Sequence, residues 1–176
     1  FDLVRSQVET FPNRWVTLVG QVVHGTPDDD EVIAAYFAYP RGASERRDLQ
    51  AELQLVVERR IDTVVREAGI DSRVPIPGSV FPPVNIQISA APHVLVTSPR
   101  SVVERRSVDL LRPDLAEDRA LEIEAAAEDE ETVAIVLPSG GVATYPAIVA
   151  ETSTYRGLLQ ISAHEWVHHY VAFYPL

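Results

Sequence analysis

Residues 132–173 read TVAIVLPSGGVATYPAIVAETSTYRGLLQISAHEWVHHYVAF, and strand-like runs give way to a helix-like one inside them. Thr132 to Leu137 and Val142 to Val149 are rich in β-branched and small apolar residues, the composition of strands. Pro138-Ser139-Gly140-Gly141 lies between them and suits a tight connection between paired strands. From about Thr152 to Phe173 no proline interrupts the chain, and a single helix is expected. Thr152 and Ser153 are its expected caps, and Glu151 is expected as a favourable charge at its N-terminus. Strands running into a long helix set the fold class as α+β: N-terminal helices, then a small mixed sheet whose edge strand packs on the last helix.

Working outward, Val84, Ile86 and Ile88 alternate with Asn85, Gln87 and Ser89, and a second run extends from His93 to Ser98. With Ala90-Ala91-Pro92 between them, the two are expected to form a hairpin. Val74 to Pro83 holds four prolines and one glycine, a rigid connector that would separate a helical region, 1–73, from a second unit, 84–176. Three helices are expected before it. Trp15, Leu18, Val19, Val22 and Val23 form an apolar stripe between Pro12 and Gly25. Asp28, Asp29 and Asp30 open a second helix that runs towards Tyr39, where Pro40 stops it. In the third, Leu49, Leu53, Val56, Val57, Ile61, Val64, Val65 and Ala68 recur at intervals of three and four, with Gly69 as the stop.

Composition removes whole classes of chemistry. The chain has 176 residues, no cysteine and no methionine, and all 15 of its basic residues are arginine. Without lysine there is no Walker A loop and no Schiff base for pyridoxal phosphate; without cysteine there is no thiol nucleophile, thiolate zinc site or disulfide. Any metal must be held by His, Asp or Glu. A net charge of −11 disfavours nucleic acid as a partner. Nine acidic residues crowd Asp114 to Glu131 against one arginine, Arg119, and read as the solvated face of a helix from about Leu115 to Glu128. With no methionine, Phe1 is not expected to be the first translated residue, which leaves room for a membrane anchor outside the visible chain.

His164-Glu165-Trp166-Val167-His168 is an H-E-x-x-H pattern well inside the last expected helix. Residues four apart on a helix differ by about 40° in azimuth and about 6 Å along the axis, so two imidazoles so placed can reach one metal ion. Glu165, about 100° from His164, stands beside that ion rather than on it, where a general base for a metal-activated water belongs. For this composition chance produces the pattern in roughly 1% of such chains. The competing explanation is an amphipathic helix that happens to carry histidines. His24 and His93 are lone histidines on apolar segments, and His169 points about 100° away from His168.

The Gly140-to-Pro146 strand followed by the H-E-x-x-H helix resembles the zincin superfamily of metallopeptidases. The resemblance spans roughly Thr132 to Phe173. It implies zinc (Zn2+) as cofactor, His164 and His168 as its ligands, Glu165 as catalytic base, and a peptide or protein substrate. It also implies that Val142, Ala143, Thr144 and Tyr145, within an edge strand running to Ile148, bind that substrate by strand addition. A metzincin would carry glycine and a third histidine where this chain has Val171 and Tyr174, so the pattern is more similar to gluzincins, whose third ligand is a glutamate on a later helix, or to relatives with a later aspartate. His169 to Leu176 contain no carboxylate. A third ligand is therefore expected beyond Leu176, or else from another molecule or from upstream, and the visible chain is expected to be inactive alone, as a piece of a zinc metalloendopeptidase. The alternative is a noncatalytic binding or structural domain in which the zincin-like half is degenerate.

Overall fold

The structure, a computed structural model, describes residues 28–70 and 80–173. The helix expected between Pro12 and Gly25 lies outside them, as do residues 74–79 of the proline-rich connector. Four helices and six strands follow in the order α1 (Asp29–Phe37), α2 (Ser44–Glu67), β1 (Ile86–Ile88), β2 (His93–Pro99), β3 (Ser107–Leu110), α3 (Glu117–Ala127), β4 (Thr132–Pro138), β5 (Gly141–Val142), β6 (Ala147–Val149) and α4 (Tyr155–Phe173). The chain is an α+β fold.

Three residues bound the N-terminal helices locally. Asp28 caps α1 by accepting the Asp30 N–H at 2.9 Å. Gly42, at φ +81°, makes the left-handed turn that returns the chain into α2. Gly69, at φ +66°, ends α2 as a left-handed C-cap residue does. The apolar stripe of α2 is buried at Leu53, Val56, Val57, Ile61 and Val65, whereas Val64 stays exposed. That stripe packs with Val32 and Tyr36 of α1, Ile86 and Ile88 of β1, Val149 of β6, and Leu158 and Trp166 of α4 in one apolar core. Val80, at the end of the connector, joins the same core, and Trp166 donates its indole N–H to the Pro82 carbonyl at 2.8 Å.

The strands divide differently from the expectation. β1 and β2 do not form a hairpin; they belong to separate three-stranded sheets, ordered β1-β6-β5 and β3-β2-β4. β1 pairs parallel with β6, Ile86 opposite Ala147, while β2 pairs antiparallel with both β3 and β4. The alternation around Ile86 sets a strand but not its partner: β1 lies beside the later β6, and Ile86 and Ile88 are buried in the core with α2 and α4. Residues 93–138 thus form an insertion between two strands of the first sheet. Likewise β4 does not pair with β5, because the Pro138–Gly141 link carries the chain from one sheet to the other.

Helix side chains close two of the sheet edges. On α2, Glu58 and Gln54 accept the outward N–H groups of Ile86 and Ile88, both at 2.8 Å, and Gln50 donates to the Ile88 carbonyl at 2.6 Å. A four-residue step on a helix is about 6 Å and a two-residue step on a strand about 6.6 Å, so the two ladders run in register. The acidic α3 repeats the device, with Glu124 accepting from Val136 N at 2.6 Å and Glu128 from Ala134 N at 3.3 Å. Two carboxylates of the expected solvated face therefore seal the edge of β4. Glu124→Ala with Glu128→Ala is expected to lower stability by about 1 kcal/mol and to free a strand edge for intermolecular pairing. Sedimentation across a concentration series checks this; a variant that stays monomeric and equally stable refutes it.

Candidate metal centre

α4 begins later than expected and is capped by a different residue. Thr154 Oγ1 accepts the Gly157 N–H at 3.1 Å, and the Thr154 carbonyl accepts the Leu158 N–H, which makes Thr154 the N-cap in place of Thr152 and Ser153. Glu151 is not a charge on the helix end. It lies back against the N-terminal helices, paired at 3.0 Å with Arg46 and accepting the Gly42 N–H at 3.1 Å.

From Thr154 onward the helix phase fixes what each residue can do. Leu158, Ser162, Glu165 and Trp166 are buried against the sheet and α2, while His164 and His168 are exposed on the adjacent azimuth. The two histidines converge: their Nε2 atoms are 3.1 Å apart, with the rings edge to face and 4.7 Å between centroids. Zinc–nitrogen bonds are about 2.0–2.1 Å, so nitrogens at that separation subtend about 100° at a shared ion, close to the tetrahedral angle. As a donor pair these residues fit zinc. A catalytic zinc site takes a third protein ligand, and among the described residues no group of three His, Cys, Asp or Glu side chains could hold an ion.

Glu165 is 6% exposed and lies between the histidine pair and the first sheet. Burial pushes its carboxyl above the usual carboxylate range, against the opposing pull of His164, His168 and His169. Its neighbour in the sheet is β5, at the edge beyond β6: Gly141 opposes Val149 and Val142 opposes Ile148. With β1 sealed by α2, β5 is the edge that faces the motif helix.

The expected substrate strand is shorter than Val142 to Ile148. After Val142 the chain folds on itself, with the Thr144 N–H donating to the Val142 carbonyl at 2.8 Å and Thr144 Oγ1 to the Pro146 carbonyl at 2.6 Å. Ala143, Thr144 and Tyr145 are therefore turn residues, and only Val142 of the four candidates is in strand. Tyr145 stands edge-on to the His169 ring at 5.7 Å, and the His169 Nε2 is buried without a partner among the described residues. His93 sits away from this centre, its Nδ1 3.2 Å from the Arg112 carbonyl. An apolar groove of about 640 Å³ runs between α2 and α4, on the side of α4 that carries Leu159, Ala163 and Val167, and does not include the histidine pair. Among the described residues no helix is long and apolar enough to cross a membrane.

No family model, curated protein or solved structure matches the chain.

Proposed function

We propose that this chain carries the zinc-binding and base residues of a zinc-dependent metallopeptidase. The observation that carries the reading is the convergence of His164 and His168 Nε2, 3.1 Å apart, beside the buried carboxylate of Glu165. Zinc held there would supply Lewis acidity for a scissile carbonyl and lower the pKa of a water. Glu165 would then act as the base, accepting a proton from water and returning it to the leaving amine. The two-residue β5 edge would offer main-chain pairing to a short stretch of extended peptide. A third ligand would have to come from outside the described residues; a metal held by the histidine pair alone is expected to be bound loosely and to support weak or no hydrolysis.

Isothermal titration of zinc into the chain tests the donor pair. Binding is expected, weakened at least tenfold in His168→Ala; equal affinity in that variant would remove the two-histidine site. For the reaction, the full-length protein that carries this chain is expected to hold one zinc per site and to cleave peptides. A full-length protein without metal sinks the reading.

One observation favours a second reading, a noncatalytic binding or structural domain: the described residues offer two ligands where a catalytic zinc site takes three. Zinc content of the full-length protein separates the two.

A further inference from the structure

Gly141 is hemmed in on two sides. A methyl group built on its Cα would lie 2.8 Å from Glu165 Oε1, 3.0 Å from Glu165 Cγ and 2.8 Å from the Ile148 carbonyl oxygen. The preceding Gly140 is different: a methyl there would meet Ile161 Cδ1 at 3.4 Å, an ordinary contact. The space that position 141 leaves empty is thus the space that the Glu165 carboxylate occupies. Because β5 is an edge strand, the same bare Cα sits where an added peptide strand would run past the carboxylate.

We propose that Gly141 is a positioning residue for Glu165: its missing side chain lets the carboxylate of α4 rest directly against the edge strand, within reach of a peptide paired to that strand. The inference rests on the metallopeptidase reading. Its physical content is a small displacement. A methyl group would force Oε1 away by about half an ångström, which is the tolerance within which catalytic groups must be held. The metal-ligand pair is not in the contact, so the effect falls on the base and on the β5–β6 pairing at Ile148 and spares the histidines.

Two measurements test it. In thermal unfolding of the metal-free chain, Gly141→Ala is expected to lower Tm by about 3–9 °C through overpacking. In a Glu165→Ala background, where the carboxylate is gone, at least half of that loss is expected to vanish. Equal losses in both backgrounds overturn the proposal and leave the glycine serving only the Ile148 carbonyl. In the zinc-loaded full-length protein, Gly141→Ala is expected to lower kcat about 10- to 100-fold, with zinc content unchanged and KM moved less than threefold. In a Glu165→Asp background, whose shorter side chain makes room, the same substitution is expected to cost less than threefold. A zinc-loaded protein whose kcat is untouched by Gly141→Ala overturns this proposal alone; a full-length protein that takes up no zinc overturns the metallopeptidase reading and this proposal with it.

Discussion

Glu165→Gln is expected to cut peptide hydrolysis by the full-length protein about 10²- to 10⁴-fold while leaving its zinc content unchanged. The amide has nearly the carboxylate's size and fits the same buried space between α4 and β5, so folding is expected to be preserved. What it lacks is a site for the proton. On the metallopeptidase reading Glu165 is the base rather than a ligand, since its azimuth on α4 differs by about 100° from that of His164, and the converging nitrogens belong to His164 and His168. Removing either histidine is expected to act in the opposite sense, losing metal first and activity as a consequence. Steady-state kinetics paired with metal analysis of the three variants separates the roles. Should Glu165→Gln lose zinc as His168→Ala does, Glu165 is a ligand and the base lies elsewhere; should it keep full activity, the residue has no part in proton transfer.

The motif helix and α2 are legible in the sequence because their signals are local. Leu53, Val56, Val57, Ile61 and Val65 repeat at the helical period and are all buried. Two histidines four apart on one helix are neighbours on its surface by helix geometry alone. Strand pairing is not local in this sense. Val84 to Ser89 followed closely by His93 to Ser98 has the form of a hairpin, yet the first strand is claimed by Ala147–Val149, some sixty residues on, where Ile86 and Ile88 find a buried partner. Val142 to Val149 reads as one strand because its composition is uniform, and it breaks at Thr144 through two hydrogen bonds to its own neighbours. Side chains that answer to distant backbone are the least legible. Nothing near Glu124 or Glu58 marks them as closing strand edges, because the N–H groups they accept lie 12 and 28 residues away.

Arg46→Ala is expected to destabilise the chain by about 3–5 kcal/mol, the combined cost of three charge-assisted hydrogen bonds of a buried guanidinium and of a partly buried Glu151 carboxylate left without its cation. Arg46 is 3% exposed although it carries a charge. Its Nε donates to the Tyr39 carbonyl at 2.8 Å, and its Nη1 donates to Glu151 Oε1 at 3.0 Å and to the Thr152 carbonyl at 2.9 Å. The guanidinium also lies over the rings of Tyr36 and Phe37, 4.7 and 5.0 Å from their centroids. One side chain therefore ties the end of α1, the start of α2 and the segment that leads into α4. Truncation leaves the Glu151 carboxylate against the Tyr36 hydroxyl and the Gly42 N–H without its cation. For a chain of this length the loss corresponds to a fall in Tm of roughly 6–20 °C, read by circular dichroism. Arg46→Met with Glu151→Gln removes both charges and keeps the volume, so it is expected to recover part of the loss. Zinc affinity below the lowered Tm is expected to be unchanged, since His164 and His168 lie two to four turns beyond the tie. A fall of less than 1 kcal/mol in Arg46→Ala would show that the pair is solvated in solution and that the apolar core alone joins the N-terminal helices to α4.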